Sequence, residues 1–383
     1  MMIISKQSVE LVVILSNYNV VEYLGISSIK SFLLKHNIQA DTSAIYLNEI
    51  NKLVNKIRRN HVKIVGFTVF SNIINDVLKA AEIIKKEFKH IHICLGGPHV
   101  NTYGFHILND NCFVDSVIEG EGELTFLELS QAIFEGKDLR GILGISYKID
   151  GHIYTNQKRM PIANLDEIPF PDRSIFEKHK QDFMYISGGR GCMGYCTFCS
   201  EPSNNINKNK LRVRNRSAVN IVDEIEYLQN KYEISTFYFT ESTFEDPGET
   251  GRKKAEGVFK EIIRRELKLS LQIYSRAELI SNENMEYLEL GRKAGLDCVY
   301  LGIEAGNSLD LRLYNKKATI DDNYRAISIL EEIGIHVICG FICFNPYSNL
   351  DTLLQNAKFL YRSGMGRHLF LYMTRLEILP QSS

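Results

Sequence analysis

Gly188-Gly189-Arg190-Gly191-Cys192-Met193-Gly194-Tyr195-Cys196-Thr197-Phe198-Cys199 is the stretch on which the reading of this chain turns. Its four glycines make it a conformationally permissive loop, and its three thiols fall within eight residues, spaced by three residues and then by two. A loop this short can fold around an iron-sulfur cubane and offer three thiolates, leaving one iron without a protein ligand and open to an exogenous one. The competing reading is structural zinc, which closes its shell with four protein ligands. Cys298 falls at the start of a distant predicted strand and His179 ahead of the strand that feeds the loop, so no fourth ligand stands at a suitable spacing.

The other five cysteines, Cys94, Cys112, Cys298, Cys339 and Cys343, are scattered through the 383 residues. That distribution suits a metal site in a reducing compartment better than a disulfide framework. Cys339 and Cys343 share one face of a predicted strand and read as core. Lys plus Arg number 45 against 46 for Asp plus Glu, so no charge excess draws the chain to nucleic acid or to an anionic membrane. Residues 1–7 lack the pattern of a secretory signal, and no run stays apolar for the roughly 18 residues of a membrane span. These features predict a cytoplasmic protein of two domains.

Upstream of the loop, short β-branched runs alternate with amphipathic segments. Strands are predicted at 9–15, 41–47, 63–70, 92–96 and 115–118, with the clearest helix at 73–88. Such alternation predicts a doubly wound parallel sheet with helices on both faces. Residues 144–155 read as a hairpin turning at Asp150-Gly151, and 159–172, with Pro161, Pro169 and Pro171, as a linker. Downstream, strands are predicted at 183–187, 236–240, 271–274, 298–302, 336–344 and 369–379. Helices lie between them, such as 217–232, capped by Ser217, and 282–294, stopped by Gly295. Six strands with intervening helices describe a partial (β/α)6 TIM-like barrel, whose active site belongs at the C-terminal strand ends.

The cysteine spacing, with an aromatic residue before the last cysteine, resembles the signature of the radical S-adenosylmethionine (SAM) superfamily. The resemblance implies a [4Fe-4S] cluster on Cys192, Cys196 and Cys199, SAM on the open iron, and cleavage of SAM to a 5′-deoxyadenosyl radical. It implies that Phe198 lines the adenine pocket. Met193 departs from the family's proline without removing a ligand. Further matches are Arg214-Asn215-Arg216-Ser217, Phe239-Thr240-Glu241-Ser242, Ser275-Arg276-Ala277-Glu278 and Gly302-Ile303-Glu304-Ala305-Gly306. By position, Glu241 joins the cofactor site, Arg276 pairs with the SAM carboxylate and Glu304 accepts from its ribose or amino group. The lesser alternative is that Arg276 or Glu304 is a solvated charge on the barrel rim. The fifth strand, Gly340 to Pro346, lacks the Gly-Glu pair of many relatives.

A parallel sheet binds ligands beyond its strand C-termini. There this chain places Ser16-Asn17-Tyr18-Asn19, residues 68–72, Gly96-Gly97-Pro98-His99 and Glu119-Gly120-Glu121-Gly122-Glu123. Ahead of a radical SAM core, these loops resemble the cobalamin-binding domain of a large subgroup, which implies that Ser16, Gly96, Gly97, His99, Gly120 and Glu121 border a corrin. The Asp-x-His-x-x-Gly motif that ligates cobalt is absent, and Asp150-Gly151-His152 is explained by its turn. His99 then reads as a residue near the corrin rather than as a ligand.

The resemblance to this cobalamin-binding-domain-containing radical SAM family divides the chain into 1–145, cobalamin-binding; 146–181, hairpin and linker; and 182–383, a radical SAM core shortened at its C-terminus. It implies cobalamin-dependent methylation of an unactivated carbon or phosphorus in a small-molecule or peptide substrate, with a reducing partner such as flavodoxin or ferredoxin. Two alternatives stand beside it: a radical SAM rearrangement or cyclisation without methyl transfer, and an inactive or accessory protein that holds cluster and corrin.

Overall fold

The computed structural model describes residues 7–16, 22–178, 181–201, 213–246, 249–379 and 382. Asn17, Tyr18, Asn19 and His179 lie outside the described residues. The chain forms two compact units, the first ending at Gln181 and the second beginning at Asp182, with residues 164–166 grouped with the second.

In the first unit seven strands build one sheet: β1 (Ser8–Ile14), β2 (Gln39–Ile45), β3 (Val62–Thr68), β4 (His92–Gly96), β5 (Ser116–Ile118), β6 (Ile145–Ile149) and β7 (His152–Thr155). Their spatial order is 2-1-3-4-5-6-7, the first five parallel and the last two antiparallel. This is the doubly wound α/β arrangement expected. Strand residues alternate between two cores because strand side chains have period two. Val12, Ile14, Val65 and Phe67 face the helices Ile50–Arg59, Ile74–Glu87 and Val100–Asp110. Val9, Leu11, Val13 and Ile64 face Leu24–Lys35 and Gly122–Glu135. Each fully buried branched side chain contributes about 1.5–3 kcal/mol. The hairpin turns where expected, with Asp150 at φ 49° and Gly151 at φ 79°. It extends the first sheet through β5 and β6, rather than standing outside it.

The second unit continues with β8 (Met184–Ile186), β9 (Gly189–Arg190), β10 (Arg214–Asn215), β11 (Thr236–Phe239), β12 (Ser270–Arg276), β13 (Leu296–Glu304) and β14 (His336–Phe341). Strands 8, 11, 12, 13 and 14 pair in chain order, all parallel, with helices between them, as a partial barrel requires. Ser217 caps the helix Ala218–Tyr232, its side chain accepting from Asn220 N at 3.2 Å. The helix Met285–Lys293 ends before Gly295, at φ 97°. One expectation is corrected: residues 369–379 do not form a strand. Leu369–Met373 is a 3-10 turn, and the segment after it meets the chain just past β14 through the parallel bridge Phe344–Arg375 and a bond from Cys343 N to Thr374 Oγ1 at 3.1 Å. Leu369, Phe370 and Met373 are exposed and cover no core, so apolar content there misled the reading.

Candidate functional site

The loop 188–199 leaves the C-terminal end of β8, and its root is fastened on two sides. β9 and β10 pair antiparallel, Gly189 with Asn215 and Arg190 with Arg214. Buried Arg216 donates to Ser187 O at 3.0 Å and to Glu224 Oε2 at 2.5 Å, tying the first helix of this unit to the same place. From β11, Glu241 reaches under the loop: Oε2 accepts from Gly188 N at 3.1 Å and Oε1 from Lys254 Nζ at 2.9 Å. A Cβ on Gly188 would stand 2.5 Å from Glu241 Oε1, so only glycine admits this approach. Glu241 thus spends both oxygens inside the protein, at the foot of the cysteine loop.

Within the loop, Cys192 is buried and Cys196 and Cys199 are half-buried. Gly194 N donates to Cys192 Sγ at 3.3 Å, and Glu201 N to Cys199 Sγ at 3.4 Å. Thr243 Oγ1 lies 3.9 Å from Cys192 Sγ. Amide donors aimed at sulfur favour the thiolate that a cluster needs. Burial pushes the Cys196 thiol up; Lys316 and then Arg276 act against it, and Glu304 adds to it. Burial likewise raises Cys199, opposed by Glu201 N. Among the described residues no three His, Cys, Asp or Glu side chains are gathered as a group that could hold one metal ion. Tetrahedral zinc would set its sulfurs about 3.8 Å apart; a cubane ties each thiolate to a different iron and needs no such convergence.

Two cations stand over this loop. Arg276, at the end of β12, is buried; it bonds Glu278 through Nε at 2.7 Å and Nη2 at 2.5 Å, while Nη1 blocks any side chain at Gly194. Lys316 bonds Glu304 Oε1 at 3.0 Å. Glu304 ends β13 in the left-handed region, φ 64°, at a register shift against β14. Strain of this kind in a non-glycine residue collects at functional sites. Phe198 packs edge-on against Tyr314, ring centres 5.5 Å apart, within an apolar cluster that includes Ala305, Ile342 and Leu376. The structure therefore brings Phe198, Arg276, Glu304 and the cysteines to one strand-end rim, with Glu241 beneath. Lys316 and Lys254 escaped the sequence reading, because nothing in periodicity separates a buried lysine from its solvated neighbours.

Glu278, the partner of Arg276, also lines a cavity of about 200 Å³ with Glu245, Asp246, Arg252 and Tyr287 among others. Burial raises Glu245 to about 7 and Asp246 to about 6. This acidic pocket was also not foreseen.

In the first unit the expected loops share the C-terminal edge of the sheet. Ser16 follows β1, half-buried. Gly97, at φ 101°, lies so close to the end of β3 that a Cβ would stand 2.8 Å from Val69 N. Val69 N donates to Gly96 O at 2.8 Å, and His99 N to Val69 O at 3.1 Å. His99 Nδ1 sits 2.9 Å from Ser71 Oγ, and desolvation lowers its basicity. Gly120, at φ 86°, donates its N–H to Asn101 Oδ1 at 2.9 Å, and Glu121 accepts from Ile162 N at 3.0 Å. Strand order 2-1-3-4-5 puts its switch point between β1 and β3, where doubly wound sheets receive ligands. Backbone bared by Gly96, Gly97 and Gly120 suits the close approach of a broad, flat ring.

Residues 186–360 match the family model of the radical SAM superfamily, and residues 10–130 that of the B12 binding domain. An uncharacterized methyltransferase of Pyrococcus horikoshii is 30% identical over 317 residues, 82% of this chain and 66% of that protein. The anaerobic magnesium-protoporphyrin IX monomethyl ester cyclase of Rubrivivax gelatinosus is 32% identical over 309 residues, 77% of this chain and 53% of that one. The chain thus spans between half and two thirds of these relatives. Among solved structures, the cobalamin-dependent SAM radical enzyme OxsB superposes with a TM-score of 0.83 at 19% identity, covering 98% of this chain and 60% of OxsB. The radical SAM methyltransferase TsrM of Kitasatospora setae superposes with a TM-score of 0.78 at 17% identity, covering 94% and 73%. At these identities the likeness concerns the fold.

Proposed function

We propose a reaction for a chain that belongs to the radical SAM superfamily and carries a B12 binding domain ahead of the radical SAM fold: cobalamin-dependent methylation of an unactivated carbon or phosphorus. The observation that carries the reading is the loop 188–199, with two backbone N–H donors on its sulfurs and Arg276, Lys316 and Glu304 acting on Cys196. Cys192, Cys196 and Cys199 would hold a [4Fe-4S] cluster, which when bound would supply the electron for cleavage of SAM to a 5′-deoxyadenosyl radical, with cobalamin as the methyl carrier.

The protein's own part is placement. Arg276 turns from Glu278 to the SAM carboxylate, a charge-assisted pairing. Glu304 accepts from the ribose or amino group, and Phe198 offers a ring face edge to the adenine. Glu241 holds Gly188, and with it the cysteine loop, in place. In the first unit Ser16, Gly96, Gly97, His99, Gly120 and Glu121 would border the corrin, with His99 Nδ1 held 2.9 Å from Ser71 Oγ. The substrate is a small molecule or peptide, a flavodoxin or ferredoxin delivers electrons, and the protein works in the cytoplasm. No helix among the described residues is long and apolar enough to cross a membrane.

A second reading, radical ring closure without methyl transfer, is favoured by the cyclase relative. One experiment separates the two. Protein is reconstituted anaerobically with iron, sulfide and cobalamin, reduced, given SAM with candidate substrates, and assayed for 5′-deoxyadenosine and S-adenosylhomocysteine. Methylation yields both products and ring closure the first alone. A protein that yields neither, or whose iron content survives Cys192→Ser, Cys196→Ser and Cys199→Ser, overturns both readings.

A further inference from the structure

Lys316 lies in the turn after the helix Ser308–Leu313, and that turn is bolted to the cysteine loop. Thr197 N donates to Tyr314 O at 3.0 Å, Thr197 Oγ1 to Leu313 O at 2.9 Å, and Asn315 Nδ2 to Tyr195 O at 2.8 Å. Three bonds on residues 313–315 leave the next residue little freedom to move independently of Cys196. The Lys316 side chain is 4% exposed, and its carboxylate partner, Glu304, is 13% exposed. On β13 a Cβ at Gly302 would stand 2.8 Å from both Lys316 Nζ and Glu304 Oε1, so the strand leaves out a side chain where the pair sits.

Burying an ammonium is costly unless nearby charge compensates it. Glu304 supplies one compensating charge, and the turn that carries the ammonium is pinned to Tyr195 and Thr197, the residues on either side of Cys196. A cluster bound by three thiolates is anionic and becomes more so on taking an electron, so a fixed cation beside it favours the reduced form. We propose that Lys316 is a positioning residue for this cluster: its charge biases the cluster toward reduction, and its bond to Glu304 holds that carboxylate at the rim. This rests on the cluster reading above. It adds a residue that the cysteine motif does not include.

The test is a mediated redox titration, without SAM, of anaerobically reconstituted wild type, Lys316→Arg, Lys316→Met and Lys316→Met/Glu304→Gln. Dithionite supplies the single electron, and the paramagnetic signal of the reduced cluster is the readout. The expected result for Lys316→Met is a reduction equilibrium about tenfold less favourable, 59 mV lower for a one-electron couple. Lys316→Arg stays within about threefold of wild type, because the charge is kept, and the double variant recovers part of the loss, because both charges are gone. Should Lys316→Met assemble no cluster, restoration by Lys316→Arg supports the charge role, and failure of both overturns it. Lys316→Met titrating with wild type, or Lys316→Arg shifting as far as Lys316→Met, also overturns it. A wild type that assembles no cluster overturns the cluster reading itself, a result distinct from either.

Discussion

Replacing Glu241 by glutamine tests how the cysteine loop is held. Glu241 and Lys254 are 3% and 6% exposed and 2.9 Å apart, a buried ion pair in which the carboxylate also takes the Gly188 amide. Removing one partner of such a pair costs about 3–5 kcal/mol, because a charge is left buried. Lys254 retains the Phe244 carbonyl at 3.0 Å and the Phe244 ring at 4.2 Å, and glutamine can still accept from Gly188, so the low end applies, about 3 kcal/mol. At about 1.4 kcal/mol per decade, this opens the segment about a hundredfold more often. Amide exchange read by mass spectrometry over 186–200 and over the helix Glu249–Arg264 measures that opening, with Ile74–Glu87 of the first unit as internal control. Exchange in both test segments should accelerate about a hundredfold while the control stays put. Glu241→Leu/Lys254→Met, which removes both charges, should fall back within about tenfold of wild type, since paired burial is replaceable by packing. Unchanged exchange in Glu241→Gln, or a double variant that opens more than the single one, would refute the argument.

Two further outcomes follow from the first unit. His92 on β4 is neutral in the fold, its pKa lowered by desolvation to about 4 from 6.5, with Nε2 2.7 Å from Ser116 Oγ. Above pH 6.5 both states are neutral there and His92 contributes nothing; between 6.5 and about 4 the unfolded chain binds a proton the folded one refuses, so stability falls by up to about 3 kcal/mol. Calorimetry across that range should show the decline in wild type and a flatter profile in His92→Gln; identical profiles would contradict it. Gly97→Ala puts a Cβ against Val69 N at φ 101°, which should cost about 1–3 kcal/mol and weaken cobalamin uptake in a spectral titration while iron content is kept. Wild-type melting and uptake in that variant would show that the β4 loop tolerates a side chain.

The cysteine loop, both parallel sheets, the Ser217 cap and the Asp150-Gly151 turn were legible in the sequence because each rests on neighbours along the chain. Period-two burial, a hydroxyl three residues ahead of a free amide and left-handed backbone at Asp-Gly are local physics. The predicted strand at 369–379 failed for a matching reason: apolar residues propose a strand, but only a partner with free backbone groups makes one, and among the described residues that segment pairs in an isolated bridge, Phe344–Arg375, beyond the end of β14.

Cys192, Cys196 and Cys199 could be named from their spacing alone, and Arg276 and Glu304 from the resemblance of the strand ends that carry them. What only the folded molecule decided is whom each of them meets. Glu241 lies beneath the loop, bonded to Gly188 and Lys254; Lys316, 12 residues past Glu304, is its ion partner; and Glu278 holds Arg276. A charge's partner is a matter of distance in space, and strand ends far apart in sequence become neighbours only when the sheet that joins them has formed.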